Sequence, residues 1–267
     1  MASSAATLFD SGLIADRWIA EYCAASKGGD ALCAGHGDRD AWAALFEELA
    51  ALSGEDLEHA RERAQRHAAD IGTGFRIAGE GEDDERPWPL SPVPLLIPDA
   101  EWQGIEAGVA QRAELMELLL RDLYGEQSLV ADGHVPAALV TGSPYFLRPL
   151  TRLDPPGDHH LHFVAFDLCR GPEGNWRVLA DHLRAPAGAG YALENRLAMA
   201  RTLDGLQTRL NIARHAPFFA AFREGLAASC QRVDPRMALL TPGRLNPSYP
   251  EQAHLARYLG LLLVEGE

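Results

Sequence analysis

The sequence predicts a mixed α/β (α+β) fold: helices first, then a central, mainly antiparallel sheet, then a βαβ unit. Three observations carry this. Trp102, Ile105, Val109, Ala113, Met116, Leu119, Leu120 and Leu123 recur with a 3.6-residue period, which marks a long amphipathic helix. Two apolar runs, 163–169 and 176–180, are joined by Gly171, Pro172, Gly174 and Asn175, the pattern of a β-hairpin with a longer loop. Near the end, the apolar run 237–240, a Pro- and Gly-containing loop, a helical stretch over 249–259 and a second apolar run at 261–264 predict parallel pairing through a crossover helix.

Composition narrows the class. At 267 residues and 47% hydrophobic the chain can bury a sizeable core in one large or two smaller domains. A formal charge of −14 argues against nonspecific binding to nucleic acid or anionic lipid, although a local cationic pocket stays compatible with an acidic protein. Lys27 is the only lysine, the other basic side chains being arginine. No apolar run reaches spanning length and no cationic start precedes an apolar core, so neither a transmembrane helix nor a signal peptide is expected. Cys23, Cys33, Cys169 and Cys230 show neither a C-x-x-C pair nor zinc spacing, and the expectation is four reduced thiols in a cytoplasmic protein.

In chain order, residues 1–39 read as a weakly organised arm with a short amphipathic helix near 13–22 and glycine breaks after it. Residues 40–150 form a helical region with a proline-rich connector. Trp42, Leu45, Phe46 and Leu49 define one helix; Ser53 is a plausible N-cap for the next, whose apolar face is Leu57, Ala60, Ala64, His67 and Ala68. His59 and His67 read most simply as surface or boundary histidines. The acidic run 80–85 reads as a solvated loop, and the prolines of 86–94 exclude helix and central strand. Asp99 can cap the long helix. The pieces 129–130 and 137–141 read as short extended segments. His160 and His162 would share a face if they lay on a strand, which raises a histidine metal site, but no third ligand stands at convincing spacing and a structural or solvent-facing role is simpler. Residues 197–210 and 217–229 read as two further helices with core aromatics.

The chemistry concentrates in 163–196. Asp167 ends the first run of the hairpin and Asp181 the second, so pairing the runs puts two carboxylates near one end of one sheet. A glycine-bearing segment follows, then Tyr191, Glu194, Asn195 and Arg196. Acids on strands beside such a loop suit a hard divalent cation and an anion next to it; a solvated hairpin with capping acids is the plainer alternative.

Trp176-Arg177-Val178-Leu179-Ala180-Asp181 and Pro186-Ala187-Gly188-Ala189-Gly190-Tyr191-Ala192-Leu193-Glu194-Asn195-Arg196 resemble the W-R-V-L-A-D and P-S-G-A-G-Y-A-L-E-N-R blocks of circularly permuted ATP-grasp proteins of the type 2 branch, with Ala187 where serine is usual. The end of the chain is similar to the family's T-P-G-x-x-N-x-x-Y-x-E stretch, here Thr241, Gly243, Asn246, Tyr249 and Glu251. Gln111 and Arg112 match its Q-R pair, for which the resemblance implies support of the site. The likeness runs from about Asp40 onward, and implies a metal- and substrate-binding half over 151–232 and the start of an α/β subdomain over 233–267.

The resemblance implies an ATP-dependent ligase joining a carboxylate to an amine through an acyl phosphate, with a small-molecule or peptide substrate and with ATP and Mg²⁺ as cofactors. Asp167 and Asp181, with Glu194 and Asn195 behind them, become metal candidates. Arg184 and Arg196 become catalytic candidates for neutralising an acyl phosphate or carboxylate. Gly188, Gly190, Tyr191, Thr241, Gly243, Asn246, Tyr249 and Glu251 become substrate-binding candidates. ATP-grasp proteins grip nucleotide with lysines from a separate subdomain. With Lys27 alone, the chain is expected to be the N-terminal portion of such a protein, completed by a C-terminal remainder or a partner chain and inactive or weakly active without it. A noncatalytic module keeping the fold and binding a small acid or a protein is the alternative.

Overall fold

The computed structural model describes residues 16–26, 33, 39–71, 74–75, 86–87, 90–91, 93–171, 173–202 and 206–266. The acidic run 80–85 and Lys27 lie outside the described residues. Helix α1 covers 16–25. It is followed by α2 (Arg39–Ala50) and α3 (Gly54–Ile71). Ser53 starts α3 as expected: its Oγ accepts the Asp56 N–H at 3.1 Å, while the Asp56 carboxylate accepts the Ser53 N–H at 2.9 Å. This reciprocal box has aspartate where glutamate is usual. Trp42, Leu45, Leu49 and Leu206 form one buried cluster, with Leu45 fully inaccessible.

The cysteine expectation needs correction. Cys23 and Cys33 form a disulfide with Cα atoms 5.2 Å apart, whereas Cys169 and Cys230 are free. Neither metal spacing nor a C-x-x-C motif could reveal the pair. It forms because both residues pack against the Trp42 cluster, which brings positions separated by 10 in sequence within bridging range.

Strands β1 (Gly74–Phe75) and β2 (Arg86–Pro87) pair antiparallel. Helix α4 (Asp99–Tyr124) then runs for 26 residues, about 39 Å. Its N-cap is Pro98 and not Asp99: with φ −59° and ψ 150°, Pro98 supplies the carbonyl that accepts the Trp102 N–H at 2.9 Å. Asp99 instead accepts from the Gln103 side chain one turn on, still favourably placed at a helix start. The two pieces expected to be extended are helical turns, α5 (Ser128–Ala131) and α6 (Ala137–Thr141). Valines 130 and 140 read as strand formers, but the Asp122 carboxylate accepts the Ser128 and Leu129 N–H groups at 2.9 and 3.1 Å and closes α5 as a helix.

Strands β3 (Ala165–Arg170) and β4 (Trp176–His182) form the expected antiparallel hairpin. The Gly171 N–H donates to the Asn175 carbonyl at 2.8 Å, and Gly174, at φ 82°, makes the turn. Helix α7 spans Ala189–Thr202, so Ala189 and Gly190, read as the end of a flexible glycine-bearing segment, already belong to its first turn. The periodicity from Leu197 onward divides between α7 and α8 (Leu206–Arg209). Helix α9 spans Ala216–Ala228. Strand β5 (Ala238–Thr241), helix α10 (Tyr249–Leu259) and strand β6 (Leu262–Glu265) make the parallel βαβ unit. Leu193, Phe219 and Leu259 bury together where α7, α9 and α10 meet. Among the described residues no helix is long and apolar enough to cross a membrane.

Candidate functional site

The hairpin is fastened to α4 at both ends. Near its turn, Arg170 and the Trp176 Nε1–H both bond the Glu101 carboxylate, the Trp176 contact at 3.0 Å. The Arg170 guanidinium also lies 5.3 Å from the Trp176 ring centre. At the open end, Arg112 grips Asp181 with two bonds, Nε to Oδ1 at 2.5 Å and Nη2 to Oδ2 at 2.7 Å. Eleven residues of helix separate Glu101 from Arg112 and five residues of strand separate Trp176 from Asp181; each spans about 16.5 Å, so helix and strand run alongside in step.

Trp176 and Asp181 are an odd number of residues apart, and in a regular strand would face opposite ways. The register explains why both reach α4. Leu168 pairs with Val178 and Asp167 with Ala180, so Leu179 is an extra residue, a β-bulge. The bulge re-phases β4 and turns Asp181 toward Arg112, in register with Phe166. Asp167, one residue on from Phe166, points away and meets His182 Nε2 at 3.0 Å. The two carboxylates therefore share an end of the hairpin but not a face, which corrects the idea that pairing brings them together.

The Asp181 pKa is lowered, first by its hydrogen bonds from Arg112 and also by the charges of Arg112 and His182, against an opposing effect of burial. The lowered value means this contribution to stability is present at neutral pH and lost as pH falls through the native-state value. Arg112→Gln is thus expected to lower the melting temperature at pH 7, with the difference closing in acid, and to bring the Asp181 carboxyl back toward its ordinary titration in carbon-13 NMR. An unchanged titration would remove the pair from the account.

The glycine-bearing block has a different setting. The Gly188 N–H donates to both oxygens of Glu251, at 2.9 and 2.8 Å, and the N–H groups of Gly190 and Tyr191 add to them. The amino end of α7 is thus capped by a carboxylate from α10. Burial pushes the Glu251 carboxyl up, and the three N–H groups oppose that rise. Gly190 is required by proximity: a Cβ there would stand 2.6 Å from the Glu251 carbonyl oxygen. Gly188, at φ 109°, is required by its backbone. The loop before α10 is tied in the same way. Thr241 donates to Gln252 at 2.6 Å and accepts the Gly243 N–H at 3.2 Å. Asn246 Oδ1 accepts the Ser248 N–H at 2.9 Å, the Asn246 carbonyl accepts the Tyr249 N–H at 3.0 Å, and Tyr191 donates to the Pro247 carbonyl at 3.4 Å. Both groups of substrate-binding candidates, 188–191 and 241–251, are brought into one neighbourhood.

Glu194 lies elsewhere. It is 2% exposed, with one oxygen 2.9 Å from His67 Nε2 and the other 3.5 Å from His254 Nε2. One buried carboxylate joins α3, α7 and α10. His67 is accordingly buried and not a boundary residue; only its partner, far away in sequence, explains it. Burial lowers the His254 pKa, Glu194 raises it, and Arg257 and His67 lower it further, with a net fall. Asn195 is half-buried beside Glu194 on α7. Arg196 donates to the Ile212 carbonyl at 3.0 Å, and the Arg184 guanidinium stacks 4.4 Å from the centre of the Tyr145 ring.

The three carboxylates among the metal candidates therefore face other partners: Asp167 meets His182, Asp181 meets Arg112, and Glu194 meets two histidines. Among the described residues no group of three or more His, Cys, Asp or Glu side chains is placed to hold a metal ion. As arranged here, these carboxylates do not fit a shared Mg²⁺ site. The histidine site fails on its premise: β3 begins only at Ala165, the His160 N–H donates to Glu117 at 2.9 Å, and its ring stacks on Tyr124 at 5.8 Å. Sequence reasoning missed Glu101, Tyr145 and His67, whose roles depend on partners that no spacing rule connects.

An α+β chain with an antiparallel hairpin clamped to a long helix, a glycine-bearing helix start and a closing βαβ unit belongs with the ATP-grasp ligase-type folds. Residues 94–267 match the circularly permuted ATP-grasp type 2 family, and the chain belongs to that family. It is 35% identical over 230 residues to an uncharacterized protein of Mycobacterium leprae, covering 85% of this chain and 40% of that one. A Mycobacterium tuberculosis protein is 35% identical over the same share of this chain and 41% of its own length, and a Synechocystis protein is 35% identical over 84% and 47%. The chain thus spans less than half the length of these relatives.

Proposed function

We propose that this chain supplies the substrate-side portion of an ATP-dependent carboxylate–amine ligase acting on a peptide or amino-acid-like substrate, and that it does not turn over ATP by itself. In that reaction a phosphoryl group passes from ATP to the substrate carboxylate, and the amine displaces phosphate from the acyl phosphate. The chain's own part is positioning and charge neutralisation. Arg196 and Arg184 supply forked donors for the anionic centre, and the Glu251 carboxylate, bonded by the Gly188, Gly190 and Tyr191 amides, fixes the start of α7, the helix that carries Arg196, against α10. The nucleotide-gripping lysines come from chain outside this stretch. The observation that carries the reading is the family block itself, folded as a helix start whose amides converge on one carboxylate.

The separation of Asp167 and Asp181 onto opposite faces favours a second reading, a noncatalytic module that binds a small acid or a protein. The two are separated by measuring Mg²⁺-dependent ATP turnover for the 267-residue chain and for a chain extended to the length of its relatives. Turnover by the extended chain only, lost in Arg196→Ala, is the expected result. Turnover by neither supports the module. Robust turnover by the shorter chain alone would overturn the proposal.

A further inference from the structure

A cavity of about 420 Å³ lies between α4 and the segment that leads into β3. That volume falls within the roughly 300–1,000 Å³ of small-molecule sites. One side is a single stripe of α4, with Glu114, Glu117, Leu118 and Arg121 at i, i+3, i+4 and i+7. The other side is the irregular segment 159–164. Specific contacts hold the two sides together. The Glu117 carboxylate accepts the His160 and Leu161 N–H groups, each at 2.9 Å. Arg121 donates to the Asp158 carbonyl at 3.1 Å and stands 4.0 Å from Glu117. Phe163 is backed by Phe222 and Phe218, with ring centres 4.9 and 6.1 Å away. These contacts also sort the polar groups of the cavity. Glu117 and Arg121 are used in building its walls, whereas Glu114 makes no ion pair and accepts no hydrogen bond among the described residues.

We propose that this cavity binds a primary amine with an apolar body, as its ammonium ion. The Glu114 carboxylate takes the ammonium, and the ring nitrogens of His159 and His162 add acceptors beside it. The body lies against Leu118, which is 51% exposed without a ligand, and against the half-buried Leu161 and Phe163. The position of the cavity suits the ligase reading. Val164 lines it and immediately precedes Ala165, which pairs with His182 at the open end of the hairpin, two residues before Arg184. Ala113 lines it too, next to the Arg112 that grips Asp181. In that reading the ligand is the amine that attacks the acyl phosphate. The carbon–nitrogen bond forms, the carbon–oxygen bond to phosphate breaks, and the ammonium nitrogen gives up two protons to its surroundings. This assignment of the amine rests on the ligase reading, whereas the binding itself does not.

The test is titration of the 267-residue chain with 2-phenylethylamine at matched ionic strength, followed by the backbone amide signals in proton–nitrogen NMR. Saturable shifts are expected at His160, Leu161 and Phe163, the first two because their N–H groups sit on Glu117 inside the cavity wall. Glu114→Gln, at an exposed position that leaves the fold intact, is expected to weaken the amine about tenfold, the worth of one charge-assisted bond. Phenylacetate keeps the body and reverses the charge, and methylamine keeps the charge and lacks the body; neither is expected to saturate these signals. No saturable response to 2-phenylethylamine, an equal response to phenylacetate, or unchanged affinity in Glu114→Gln would each overturn the site. The outcome is separable from that of the ligase reading. Amine binding without ATP turnover by the extended chain keeps the cavity and removes the ligase, and turnover without amine binding does the reverse.

Discussion

Glu194→Ala is expected to be among the more damaging single substitutions in this chain, costing about 1–3 kcal/mol, the usual range for leaving buried polar groups without their partner. At the size of this protein that lowers the melting temperature by roughly 2–12 °C. The reason is that two imidazoles from separate helices, His67 on α3 and His254 on α10, face the same buried carboxylate. Truncating it removes the carboxylate that both Nε2 atoms face and opens a void where α3, α7 and α10 meet. Glu194→Gln keeps the volume and one acceptor oxygen and is expected to cost less. An exposed acid on a helix would change stability by less than about 0.5 kcal/mol, so a small effect of Glu194→Ala would refute the buried clamp.

The same cluster sets a pH dependence. The His254 pKa is lowered on folding, so the unfolded chain binds the proton more tightly. The associated stability is present above the ordinary histidine value, near pH 6.5, and is lost as pH falls from there toward the native-state value. Glu194 is the one neighbour that raises the His254 pKa, while His67 and Arg257 lower it. Without Glu194 the native-state value falls further, and the variant is expected to lose more stability than the wild type between pH 7 and pH 5. Thermal melts across that range, with His254→Asn as the control that removes the titrating ring, decide the point.

Gly190→Ala is expected to destabilise although helix propensity alone predicts the opposite. Alanine is better than glycine inside a helix by about 1 kcal/mol. Here the added Cβ would lie 2.6 Å from the Glu251 carbonyl oxygen and 2.9 Å from its Cβ, distances that backbone and side chain cannot relieve without parting α7 from α10. Parting them also draws the Glu251 carboxylate away from the Gly188, Gly190 and Tyr191 N–H groups. Overpacking of this kind costs about 1–3 kcal/mol, enough to outweigh the propensity gain. Gly108→Ala is the matched control: it lies within α4 with no atom within 4 Å of the added Cβ, and is expected to stabilise by about 0.5–1 kcal/mol. If both alanines stabilise, the close approach of α7 and α10 is wrong.

The parts of the fold that the residues determine locally were legible without coordinates. The α4 period, the Ser53 helix start, the glycine turn of the hairpin and the βαβ unit all follow from near-neighbour chemistry, and the family blocks placed the chain among permuted ATP-grasp proteins. Other features are decided by contacts between residues far apart in sequence. A single extra residue, Leu179, turns Asp181 away from Asp167 and toward Arg112, and no alternation pattern marks where a bulge falls. Glu251 makes a helix of the segment from Ala189, because the acceptor for its first amides comes from α10. His67 is buried because Glu194, on another helix, offers it a carboxylate. The Cys23–Cys33 bridge depends on a shared core cluster. Composition and spacing thus determined which chemical groups the chain carries. Tertiary structure decided which of them face one another, because the direction of a side chain depends on register, bulges and caps set by distant residues.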